Sequence, residues 1–435
     1  MIIYAENITP RLKYICSFIF EERMNIEISF ISSEKELQDV SQPAIVYGDK
    51  ILEGYFCINA AGLILEDSIR QMKPECAGMA ETAELFPVAK GNLSFDVFSA
   101  CFYILSRYEE YLSFPEDVHG RFPASESLAC KNGFLDWPVV NIWVEKLREK
   151  LSAFYPGMDF GKSTSSYLLS IDVDQAWDVR NKGLFRTLGG FARAFLNFNF
   201  KEINYRIAVL LGKWHDRFDT FSWISDNHSD NELIMFFLLA DYSRYDKNIP
   251  PSDKEFKALV NKLSKRFKTG IHPSYFSSEK SEKNALEKAR LEEFTGKDVI
   301  ASRQHYLRLR FPSTYRHLIN AGITEDYSML FADLPGYRAG TSYPFRWYDL
   351  AKEQETSLMI YPPCIMERTL KDYMKLNRKE ALELLLEFVD KTEAYGGCFI
   401  PIWHNDSVSG KGEWKGWDEV YREMHKQLKS LNLHD

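Results

Sequence analysis

Two aspartates stand one residue apart at the end of an apolar run, Leu168-Leu169-Ser170-Ile171-Asp172-Val173-Asp174. Side chains alternate faces along an extended strand, so positions i and i+2 look the same way. Asp172 and Asp174 would then share one face where the strand leaves a sheet. Two carboxylates held this close repel unless a cation or a proton lies between them. The pair suits one metal ligand and one general base, although a strand-end turn with two hydrated aspartates would read the same in isolation. Four further segments end a strand-like stretch in polar groups: Ile271–Tyr275, Ser302–Tyr306, Pro335–Thr341 and Trp403–Asp406. In parallel α/β folds the carboxyl ends of strands converge on the ligand site. Together these segments supply His272, His305, His404 and Arg338 beside the two aspartates. One carboxylate with two histidines is a common catalytic zinc set that leaves a position open. A single histidine at any of these places is equally explained by a structural role.

The elements that must bring these residues together alternate between strand and helix. Ile2–Tyr4, Ile26–Ile31 and Ala44–Tyr47 read as short strands, with a helix over Arg11–Arg23 between the first two. Helices are expected over Phe95–Leu112 and Pro138–Tyr155, the former with Phe98, Cys101, Ile104 and Leu105 on one face. His119, beside Gly120 in a loop, reads as a structural or surface histidine. Pro156-Gly157 and the polar stretch Gly161–Ser166 suggest a boundary near residue 160. Residues 178–230 read as a helical, partly basic insertion or lid rich in Phe and Trp; His215 and His228 within it have no metal-ligand spacing. Met235–Ala240 and Val299–Ala301 read as strands, and Asp253–Lys268 and Ser281–Phe294 as helices. Asn377 and Glu380 form a capping box that opens a helix to Tyr395, and Gly396-Gly397 stops it. Cys398–Trp403 follows as a buried strand ending at His404. The alternation predicts a parallel α/β architecture, plausibly a barrel.

Composition narrows the class. The 435 residues exceed one average domain and are 45% hydrophobic and 14% aromatic, enough for sizeable cores. The 54 basic and 62 acidic residues give a net charge of −8, which argues against a nucleic-acid partner. Seven scattered cysteines show no C-x-x-C spacing, so a disulfide framework or thiolate zinc site is not expected. The amino terminus lacks the basic start and long apolar core of a signal peptide, and no apolar run approaches the ~18 residues of a membrane span. The expectation is a cytoplasmic protein; oligomeric state is not legible.

The segments Ser106–Leu112 (SRYEEYL), His119–Ser125 (HGRFPAS), Ile171–Asp178 (IDVDQAWD), Gly270–Tyr275 (GIHPSY), Ser302–Arg308 (SRQHYLR) and Gly336–Thr341 (GYRAGT) occur in a suggestive order. Over about residues 165–410 this order resembles the polysaccharide deacetylase superfamily, the NodB-homology or carbohydrate esterase family four group. The whole pattern resembles a Bacteroidetes subgroup with its own amino-terminal domain. The resemblance implies a distorted (β/α) barrel over 165–435 with an insertion at 178–230, preceded by a smaller α/β domain over 1–160. It implies Asp172 as base, Asp174 and His272 as ligands of a divalent metal, zinc expected, and His404 as acid with Glu367 or Asp406 behind it. It also implies Arg338 as the residue that orients the base, with a structural salt bridge as the equal alternative for that arginine. The family's second metal-binding histidine lies one helical turn after the first, where this chain has Phe276, and His305 is the expected replacement. The Pro-Tyr that follows the arginine in many members is absent, which leaves the oxyanion donor unassigned. The implied activity is removal of an N-acetyl group from an amino sugar. The alternatives are an amidohydrolase for a small non-sugar amide and a non-catalytic carbohydrate-binding or assembly protein. Trp177, Tyr275, Tyr337 and Trp403 could stack on a sugar, with core packing the blander role for each.

Overall fold

The computed structural model describes residues 1–431; the expected end of the second domain at 435 lies outside the described residues. Most of the chain is organised by two sheets. The first is wholly parallel, with Ile2–Tyr4 at its centre between Ser29–Ile31 and Ala44–Gly48, and Phe56–Asn59 at the far edge. The last strand was not expected from the sequence. The helix foreseen over Arg11–Arg23 is α-helical over Pro10–Cys16 and π-helical over Ser17–Arg23.

The second sheet has nine strands. From one edge to the other they are Phe345–Asp349, Gln354–Ile360, Glu325–Asp326, Ala301–Ser302, Lys268–Ile271, Leu233–Phe237, Leu169–Val173, Pro401–His404 and Ile365–Met366. Every neighbouring pair is parallel except the first, which is antiparallel. The α/β expectation holds. A closed barrel does not appear: the pairing runs from Phe345–Asp349 to Ile365–Met366 and does not join those two edges among the described residues. Leu169–Val173 and Leu233–Phe237 are buried at every position, as fits central parallel strands covered on both faces.

Register fixes the height of the chemistry-bearing residues. His404 pairs with Asp172, and Asp172 with Phe236. Ile271 pairs with Ser302, so His272 and Arg303 both emerge at the next position. The predicted strand before His404 is two strands. Gly397–Phe399 pairs with Ser165–Tyr167 in a small separate sheet, and Pro401–His404 then joins the large one. Asn377 caps the helix Arg378–Tyr395 by accepting from the amides of Lys379 and Glu380, while Glu380 reaches back to the Asn377 amide.

The boundary near residue 160 separates the two sheets but not their apolar interiors. One continuous core cluster runs from Ile3, Phe98 and Trp143 to Leu169, Trp347 and Phe388. A buried ion pair between Glu110 and Arg338 also crosses it. The insertion consists of the helices Leu184–Leu196, Phe200–Leu210 and Phe221–Asn227.

Candidate metal centre

Asp174, His272 and His305 come together although 131 positions separate the first from the last. Their donor atoms all lie within 4.8 Å of one another. His272 Nε2 is 3.3 Å from Asp174 Oδ1, and His305 Nε2 is 3.6 Å from Asp174 Oδ2. The imidazole rings are 4.9 Å apart and inclined by 57°. The expected replacement of the missing second histidine by His305 is thus met in space. Phe276 points elsewhere, with its ring against Tyr245 and Tyr275.

Each imidazole is held from behind. Nδ1 of His272 donates to the Arg303 carbonyl at 2.5 Å. The Nε2 atom faces Asp174 Oδ1, a buried oxygen with no other hydrogen-bond partner. A buried carboxylate oxygen left without a hydrogen-bond partner costs free energy unless a proton or a cation reaches it. His305 Nδ1 lies 3.0 Å from Asp246 Oδ1, the carboxylate–imidazole arrangement that orients metal-bound histidines. Asp246 is itself fixed by Ser243 Oγ and the Tyr275 amide. The donor set of one carboxylate and two imidazoles fits a divalent ion of the zinc type.

The electrostatics agree with an anion-rich pocket. Burial disfavours charge on Asp174, but His305, His272 and His404 outweigh it and hold the carboxyl well below the usual range. Burial likewise works against protonated His305, yet Asp174 and Asp246 push its pKa up to about 9. His404 is also pushed up to about 9, because Glu367 overcomes desolvation. His404 Nδ1 meets Glu367 Oε1 at 2.8 Å, and Nε2 turns toward Asp174 Oδ2 at 3.8 Å. Glu367 is thus the acidic partner. Asp406, the other candidate, instead accepts from Arg368 at 2.7 Å and from Trp414 Nε1.

Asp172 is buried beside the three donors, with Oδ2 3.8 Å from His272 Nε2. Its Oδ1 accepts from Arg303 Nη1 at 2.8 Å. This corrects the arginine expectation. Arg338 is not at Asp172: its guanidinium forks onto Glu110 at 2.9 and 2.5 Å and donates to the Leu330 carbonyl. Arg303 reaches Asp172 because it follows the strand next to that of His272, whereas Arg338 faces the amino-terminal helix region. Spacing alone gives Arg303 no role; its place after the Ala301–Ser302 strand does.

A cavity of about 520 Å³ opens over the site and is lined by Asp172, Asp174, His272, His305 and His404 with Arg121, Tyr245, Tyr306, Arg368 and Tyr373. Trp177, Tyr337 and Trp403 do not line it; all three are buried in packing. Tyr275 lies behind the wall, stacked on Tyr245 at 3.8 Å between ring centres. Tyr245, Tyr306 and Tyr373, none of them singled out in the sequence, are tyrosines that line the cavity. The loop bearing His305 is strained, since Tyr306 and Leu307 both have positive φ, 60° and 52°. Arg121 braces it by donating to the Tyr306 carbonyl at 2.8 Å. His119 packs behind it, with Nδ1 3.1 Å from the Tyr275 hydroxyl. The amino-terminal region therefore contributes directly to the wall of the site.

Residues 1–156 match a family model described as a family of unknown function, DUF7033. No curated protein matches the chain. Among solved structures, a proposed polysaccharide deacetylase from Mycobacterium smegmatis is similar at 13% identity, over 62% of this chain and 86% of that one, with a TM-score of 0.39. A polysaccharide deacetylase from Bacillus cereus is similar at 10% identity, over 62% and 89%, with a TM-score of 0.30. A mutant of a CE4-family pseudoenzyme with restored activity is similar at 11% identity, over 62% and 64%, with a TM-score of 0.29. Similarity at this level carries no inference about chemistry.

Proposed function

We propose that the chain is a metal-dependent hydrolase that removes an N-acetyl group from an amino sugar in a glycan or glycan precursor. The observation that carries this reading is the meeting of Asp174, His272 and His305 around one point, with the unpartnered Asp174 Oδ1 turned inward. A divalent cation held by these three would polarise the amide carbonyl and acidify a water toward a pKa of ~7. The remaining roles belong to the protein's own groups. Asp172 takes the proton of the attacking water through Oδ2, because Arg303 engages Oδ1. His404 holds a proton at neutral pH and delivers it to the leaving nitrogen as the C–N bond breaks. The hydroxyl of water ends on the acyl carbon, so the products are acetate and a free amine. Tyr245, Tyr306 and Tyr373 give the cavity the flat apolar surfaces that sugar rings stack on. The cavity volume falls in the ~300–1,000 Å³ range of small-ligand sites.

The test pairs metal content with turnover. Native mass spectrometry of protein loaded with zinc should show one ion per chain, lost in His272→Ala and in His305→Ala. Acetate release from N-acetylglucosamine oligomers should vanish in Asp172→Asn while that variant keeps its ion. A protein that takes up no divalent ion would sink the mechanism. A loaded protein that releases acid only from small cyclic amides would replace the sugar by another amide.

A further inference from the structure

The helices Leu184–Leu196 and Phe200–Leu210 carry an apolar surface that nothing in the fold covers. Leu184, Leu188 and Phe195 are exposed and, with half-buried Phe191, follow the i, i+4, i+7, i+11 spacing of one helix stripe. Phe200, Ile207 and Leu210 continue a second stripe with half-buried Ile203. Phe185 is 89% exposed and Phe198, in the turn between the helices, 80%. None of these side chains joins a hydrophobic core cluster. Lone exposed apolar residues are ordinary, but a contiguous set of this size marks an interaction surface.

Charge selects the occupant. Residues 184–214 hold five basic residues (Arg186, Arg193, Lys201, Arg206 and Lys213) against one acid, Glu202, in a chain whose net charge is −8. Arg193, Lys201 and Lys213 are exposed and have no ion-pair partner among the described residues. Apolar stripes edged by free cations on a short helical pair match an anionic bilayer surface, into which such helices sink their apolar face while the cations meet the headgroups. A cleft of about 960 Å³ beside Arg186, Arg193 and Arg206 shares Gln175 and Lys247 with the cavity of the metal centre. We propose that residues 184–214 dock this protein on anionic lipid membranes, with the site cavity adjoining the docked face. The corollary that the amino sugar is met at the membrane surface rests on the hydrolase reading; the docking does not.

Co-sedimentation of the full chain with vesicles tests it. Vesicles of phosphatidylcholine with one-third phosphatidylglycerol should pull down the protein, and pure phosphatidylcholine vesicles should not. The triple change Phe185→Ser, Phe195→Ser, Phe198→Ser removes exposed rings only, so folding is retained, and should weaken binding by about tenfold or more. Lys201→Glu with Lys213→Glu should do the same and abolish its salt dependence. His272→Ala should bind like the unaltered protein, which separates failure of the docking from failure of the hydrolase. No binding to anionic vesicles, or equal binding by the triple variant, overturns the proposal. So does a dimer in solution that the triple variant dissolves, since a second copy would then own the surface.

Discussion

At the scale of single residues, the site is a charge problem solved by position. Two aspartates were visible in the sequence because alternation alone puts Asp172 and Asp174 on one face. The arginine at Asp172 is not legible in the sequence: the resemblance points to Arg338, and only the fold tells which carboxylate each guanidinium meets. Arg303 pairs with Asp172 and Arg338 with Glu110. Arg338→Met should therefore destabilise the protein rather than tune catalysis. Breaking a buried pair costs about 3–5 kcal/mol, and the lower end is expected because Arg107 still pairs with Glu110; urea unfolding measures it. The proton on His305 gives a second expectation. With a folded pKa of about 9 against 6.5 ordinarily, His305 is charged at neutral pH in the metal-free protein. Its ion pairs contribute stability fully below pH ~6.5 and lose it as pH rises through 9. Metal uptake must expel that proton, so apparent zinc affinity should rise about tenfold per pH unit between pH 7 and 9. Calorimetry in buffers of different ionisation enthalpy reads the released proton, and a pH-independent affinity would refute it. Asp246→Asn, which removes the charge behind His305, should weaken the metal by about 10- to 100-fold. Glu367→Gln should lower the His404 pKa from about 9. The alkaline limb of the rate profile, where a general acid is lost, should then move to lower pH.

At the scale of elements, local signals predicted helices well and their ends less well. Asn377 and Glu380 announced their helix, and both halves of the capping box form. Asn377→Ala should cost about 1 kcal/mol with turnover unchanged, a shift that thermal melting resolves. The helix foreseen over Asp253–Lys268 stops at Ser264, and Lys268 already begins the strand that delivers His272. Amphipathic spacing could not mark that change, because the strand is only four residues long. The same limit hid the break between Gly397–Phe399 and Pro401–His404, which a single apolar run conceals. The strained turn after His305 had no glycine to betray it. Its positive φ at Tyr306 and Leu307 is enforced from outside, in part by Arg121. Arg121→Ala should release that brace, raising KM more than it lowers kcat if the loop lines the substrate cavity.

At the scale of the whole molecule, the short polar stretch near residue 160 suggests two units. What composition cannot register is shared interior, since that depends on which surfaces meet. The helix Val97–Leu105 is buried along its full length, and Tyr14 and Phe102 on the amino-terminal side pack against Tyr348 on the other. Arg11 donates to Glu353 across the same junction. Residues 161–435 expressed alone should therefore aggregate, and a soluble fragment with full zinc loading would show otherwise. This continuity has a consequence for heredity as much as for thermodynamics. A calorimeter should record one melting endotherm, its van't Hoff and measured enthalpies in agreement. Grafting the first 160 residues of a cousin onto this chain would have to recut both halves of a jigsaw at once. The front third should therefore change in step with the rest of the chain rather than be traded as an independent module.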